Sequence, residues 1–134
     1  MKKIKLKQMS MKITFYLIIA IFFSFTKMNA QTNQMVRIAK LIIDFQQLDN
    51  YKMELKEEIE KSIQNEPGVI NLYAVSEKED PTKITIIEIY ADKSAYEKHI
   101  KSVHFLKYKN ATANMVKSLE LIEVDPLIPD MKIK

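Results

Sequence analysis

His99 and His104 are the two imidazoles of the chain and, with no cysteine present, its natural carriers of a proton near neutral pH. His104 is the first candidate for a reactive polar group, because it stands at a helix junction next to Phe105; its other reading is a packing or capping histidine. His99 falls among Tyr96, Ile100 and Val103 on an inward stripe, which reads as a core or interface position or as a substrate contact. Five residues separate the pair, so they do not share one helix face, and the sequence offers no metal-ligating pair. Asn71 is a polar residue inside an apolar strand, where its amide either orients a substrate oxygen or faces water. Tyr73 and Tyr90 either stack on and hydrogen-bond an aromatic ligand or serve as packing. Glu88, between Ile87 and Ile89, is a partly buried carboxylate with a raised pKa or one half of a salt bridge across a subunit contact.

The elements that must hold these groups follow from periodicity. Met35 to Asp44 is rich in β-branched residues and reads as a first strand. Leu48, Tyr51, Leu55, Ile59 and Ile63 then recur at helical spacing, with the Glu and Lys residues between them reading as a solvated face. Glu66-Pro67-Gly68 stops that helix, since proline cannot continue it and glycine accepts the turn. Val69 to Lys78 and Lys83 to Ala91 read as strands joined too closely for a parallel crossover, hence as an antiparallel pair. Asp92 is a helix cap, and Ser102 interrupts or recaps the following helix, whose face continues through Phe105, Tyr108, Thr112 and Met115. Ser118 to Val124 is the last strand, and the tail 125–134 reads as extended. The order is βαββαβ, an α+β pattern.

Both strand faces are apolar. In the third strand Ile84, Ile86 and Tyr90 point one way and Ile87, Ile89 and Ala91 the other. Two helices cover one face of a four-stranded sheet, so the second face calls for another copy of the chain.

Composition narrows the function. Of the 21 Lys and Arg residues, six lie in the first 30 positions, where there is no acid; residues 31–134 carry 15 basic against 17 acidic side chains. A net of −2 there argues against nucleic-acid binding. The single glycine excludes P-loop and dinucleotide fingerprints. Five lysines precede the apolar run Ile13 to Phe25, and Ala30 follows, which is the layout of a secretory signal peptide cleaved after Ala30. Export to the periplasm or medium is expected, with no stable membrane span because the run is too short. An uncleaved N-terminal anchor is the alternative, and Met11 is a second possible start.

Glu66-Pro67-Gly68, Asn71, Asp80-Pro81-Thr82-Lys83, Glu88-Ile89-Tyr90 and the segment His99-Ile100-Lys101-Ser102-Val103-His104-Phe105 come in this order and spacing over residues 35–124. Together they resemble the antibiotic-biosynthesis monooxygenase (ABM) domain, quinol monooxygenase-like, of the dimeric α/β-barrel group. The resemblance implies a ferredoxin-like βαββαβ protomer with an antiparallel four-stranded sheet, a homodimer, and oxidation of a small quinol or polyphenol by molecular oxygen without flavin, haem or metal. On that footing His104 and Asn71 are expected to act on the substrate, and Tyr90, Tyr73, His99, Glu88 and Phe105 to bind it. The chain departs from the family where Trp often stands and it has Tyr90, and where an aromatic is common and it has Leu72, so stacking surface is reduced. Two rival readings stay open. One is a non-catalytic exported dimer that binds a small apolar ligand. The other is a haem-binding or haem-degrading protein, although the strand-one Asn and the Trp of that branch are missing.

Overall fold

The structure, a computed structural model, describes residues 34–128. The expected leader with its cut after Ala30, and the end of the tail, lie outside the described residues. Strands β1 (Met35–Ile43), β2 (Val69–Ser76), β3 (Lys83–Tyr90) and β4 (Val116–Val124) form one antiparallel sheet in the order β2-β3-β1-β4. Helices α1 (Leu48–Asn65), α2 (Lys93–His99) and α3 (Val103–Thr112) complete the βαββαβ order, with a short 3-10 turn at Phe45–Gln47 before α1. Among the described residues no helix is long and apolar enough to cross a membrane.

Strand alternation sorts the side chains. Ala39, Leu41 and Ile43 of β1 and Ile84 and Ile86 of β3 are buried on the inner face against Leu48, Tyr51 and Leu55 of α1. Each leucine or isoleucine among them is worth roughly 1.5–3 kcal/mol on burial. The stripe of α1 is not purely apolar: Leu48, Tyr51, Leu55, Glu58 and Ser62 are its buried positions, while Ile63 is exposed. The solvated-face reading therefore fails at Glu58. Strict 3-4-3-4 spacing from Leu48 lands on Glu58 and Ser62, and choosing apolar residues alone drifts off the buried line.

The caps fall where the sequence puts them. Asp92 Oδ1 accepts the Ala95 amide at 2.7 Å and Ser102 Oγ accepts the Phe105 amide at 3.3 Å, so the chain is recapped between α2 and α3. Val103 consequently leaves the inward stripe and is 86% exposed. Gly68 has a different reason from the one expected. No described residue has a positive φ, but a Cβ at position 68 would lie 2.5 Å from that of Ala95, so glycine lets the α1–β2 turn press against α2.

The outer face has two halves. In register across the sheet stand Asn71, Ile89, Val36 and Val124, then Tyr73, Ile87, Ile38 and Ile122, and the following row is Val75, Thr85, Lys40 and Glu120. The first two rows are almost wholly apolar, and Tyr73 and Ile87 in them are exposed. The third row, with Thr85, Lys40 and Glu120, is mostly polar.

Candidate functional site

Between the inner face and the helices lies a cavity of about 420 Å³, within the size range of small-molecule sites. Ala39, Leu41, Leu55, Leu72, Ile86 and Phe105 make much of its wall apolar. Leu119 and Leu121 of β4 line it while remaining half exposed, so it opens along β4. Into it come a small number of polar groups from five elements: Arg37 of β1, Glu58 of α1, Glu88 and Tyr90 of β3, Tyr96 and His99 of α2, and Tyr108, Lys109 and Thr112 of α3.

His99 is the best-placed proton carrier. It is 3% exposed, at the end of α2, and its ring packs on Phe105 and Tyr90 with centroids 4.9 and 5.4 Å away. Its Nδ1 lies 3.0 Å from Glu66 Oε1, and its Nε2 lies 3.6 Å from Glu58 Oε1. The two carboxylates behave oppositely. Burial alone would raise Glu66, yet the hydrogen bonds from His99 and His104 hold it below the usual carboxylate range. Burial pushes Glu58 above that range, against the Ser62 hydroxyl that donates to it at 2.7 Å. An ionised Glu66 only accepts, so His99 donates to it from Nδ1; in the neutral ring this leaves the lone pair on Nε2, the arrangement that makes an imidazole a base. Glu66 sits just past the end of α1, where its backbone N–H closes the helix on the Ser62 carbonyl at 2.9 Å and its side chain is turned back under α2 and α3.

His104 Nε2 donates to the same Glu66 oxygen at 2.5 Å. His104 is therefore a second support of that carboxylate, and it is not among the residues that line the cavity. Glu66, His99 and His104 place one ligand atom each within 4.8 Å of one another, a donor set of the kind metals accept. The 2.5 Å separation is that of a strong hydrogen bond. Neighbouring ligands on one tetrahedral ion, with bonds of about 2.1 Å, would stand about 3.4 Å apart. In this structure the three side chains are joined by hydrogen bonds through Glu66 Oε1.

Glu88 and Tyr90 are adjacent inner-face positions on β3. The Tyr90 hydroxyl donates to Glu88 Oε2 at 3.1 Å, and burial pushes both groups' pKa up. Behind them the Tyr51 and Tyr108 hydroxyls lie 2.7 Å apart, and burial pushes Tyr51 up to about 12.

Of the expected site residues, the fold brings His99, Glu88, Tyr90 and Phe105 to one cavity. Asn71 and Tyr73 are on the opposite face, Asn71 with its amide donating to the Ile87 carbonyl at 3.4 Å and Tyr73 exposed. The cause is a register shift between Val69 and Asn71: Val69 pairs with Tyr90 on the inner side, and the extra residue turns Asn71 to the outer side beside Ile89. Sequence reasoning also passed over Arg37, Glu58, Glu66 and Tyr96. Glu58 was recoverable from the helix spacing; Glu66 looked like one letter of an ordinary turn.

Comparison with known proteins agrees with this fold. Residues 35–111, from β1 nearly to the end of α3, match the family described as antibiotic biosynthesis monooxygenase. The crystal structure of a protein assigned as an antibiotic biosynthesis monooxygenase from Bacteroides thetaiotaomicron is 56% identical, with a TM-score of 0.75, over 76% of this chain and 97% of that one. A second such assigned protein, from Nitrosomonas europaea, is 21% identical with a TM-score of 0.68 over 74% of this chain and 95% of its own, a likeness of fold. No curated protein matches. Since the family covers more than half of the sequence and the Bacteroides protein is matched over nearly its whole length, the chain belongs to the antibiotic biosynthesis monooxygenase family.

Proposed function

We propose that the protein is a monooxygenase that oxidises a small electron-rich hydroxyaromatic, a quinol or polyphenol, with molecular oxygen and no redox cofactor, using His99 as the base. The observation that carries this reading is a buried imidazole, oriented by an ionised carboxylate, in the wall of an apolar cavity. Triplet oxygen reacts slowly with closed-shell molecules, so the substrate's own anion must be the electron donor. His99 Nε2 takes the substrate's hydroxyl proton, and Glu66 steadies the resulting imidazolium through Nδ1. The anion delivers its electrons to oxygen and a carbon–oxygen bond forms. The oxygen–oxygen bond then breaks, leaving one atom on the ring while the other departs as water. The substrate supplies every electron. Apolar walls keep bulk water from the anion.

Two copies pack through the apolar half of the outer face in this reading, and the basic leader directs export. Oxygen uptake by the purified chain with reduced naphthoquinones tests the activity. Uptake above the protein-free rate is expected; none across several quinols would replace the enzyme with a non-catalytic binder.

A further inference from the structure

Arg37 has no role in the chemistry above, yet it is among the least ordinary residues of the molecule. It is 8% exposed on the inner face of β1, it lines the cavity, and its Nε is buried without any hydrogen-bond partner. Among the described residues it makes no ion pair within 4.0 Å. Its register partners across the sheet are both acids, and neither closes on it. Glu88 accepts the Tyr90 hydroxyl instead, and Glu123 is exposed to water. The guanidinium lies over the Tyr96 ring, 4.7 Å from its centroid. A guanidinium stays charged at any working pH, and burying one with an unmatched N–H is unfavourable unless an anion meets it. Its planar fork suits a carboxylate.

We infer that the cavity is an acid-accepting site: its ligand carries a carboxylate on Arg37 and a hydroxylated aromatic ring towards His99. The wall between these two ends is aromatic. Tyr96 contacts Arg37 on one side and Tyr90 on the other, with ring centroids 5.4 Å apart, and Tyr90 in turn contacts His99. A flat ring bearing an acid at one end and a hydroxyl at the other matches that sequence of groups. The hydroxyl half rests on the function proposed above; the acid half rests on Arg37 alone.

The test is calorimetric titration of the purified full chain with 6-hydroxy-2-naphthoate and with its carboxamide, which keeps ring and hydroxyl and removes the charge. The acid is expected to bind at least about tenfold tighter than the amide. In Arg37→Gln, checked for folding by circular dichroism, the two are expected to bind within about twofold of each other. Equal binding in the wild-type chain, binding of neither compound, or a preference that survives in Arg37→Gln would overturn the inference, and the wild-type comparison decides even if the variant does not fold. The two readings fail separately. Acid preference without oxygen uptake keeps the subsite and removes the oxidation, whereas uptake with neutral quinols and no acid preference does the reverse.

Discussion

On the inner face of the sheet, Arg37, Glu88 and Tyr90 stand among Ala39, Leu41, Ile84 and Ile86 beneath three helices. On the outer face of the same strand ends, Val36, Ile38, Ile87 and Ile89 lie in register with Ile122 and Val124, half-buried or exposed among the described residues, with Asn71 beside them. The contrast separates two kinds of evidence. Glu88 and Tyr90 accept burial by bonding each other, and Arg37 lies over Tyr96 with its Nε unmatched, all around one cavity, which is the mark of a site. Apolar groups left uncovered ask for another surface, which is the mark of a subunit contact.

The strongest way to break the inner half of that contrast is His99→Gln, which keeps a polar side chain next to Glu66 but removes the base. Quinol oxidation is expected to fall by about 10²- to 10⁴-fold in kcat/KM while the melting temperature stays close to the parent's. An unchanged rate would make His99 a packing residue. For the outer half, Ile87→Glu places a carboxylate within the apolar rows. Sedimentation velocity should show the dimer weakened by about 30-fold or more, and a parent chain that is already monomeric at micromolar concentration would remove the contact altogether.

A smaller effect is expected where α2 is seated over the inner face. Gly68→Ala drives a methyl group into Ala95 and should cost about 1–3 kcal/mol in urea unfolding. Smallest is the pH signature of the two acids that flank His99. Glu66, held below the 4.5 of a free glutamate, contributes stability that is present above that value and lost as pH falls through its lowered pKa. Glu58, held above it, costs stability that appears as pH rises through 4.5 towards its raised pKa. Glu58→Gln should therefore melt higher than the parent at pH 8, with the gap closing near pH 4; Glu66→Gln should melt lower at pH 8, with its gap closing at more acid pH. The same sign for both would refute the opposed environments.

The fold was readable because its signals are local. Strand starts at Met35, Val69 and Lys83, the Asp92 cap and the Ser102 break all appear in the structure as the periodicity and capping chemistry require. The site was legible only in part. Tyr90, His99, Glu88 and Phe105 are fixed by element faces that the sequence displays, and they do meet. Asn71 lies on the outer face because one extra residue in β2 reverses the parity of the strand, and nothing in the run Val69-Ile70-Asn71 announces which of its two readings holds. The pairing of Glu66 with two imidazoles spans more than 30 residues of chain and depends on how α1, α2 and α3 end against one another, which no local pattern encodes.

Oxidation of 1,4-dihydroxynaphthalene under isotopically heavy dioxygen, followed by mass spectrometry of the product, tests the central claim most directly. One heavy oxygen atom on the ring, its yield dependent on His99, is the predicted result. A quinone with no heavy oxygen, formed no faster than without the protein, would contradict it.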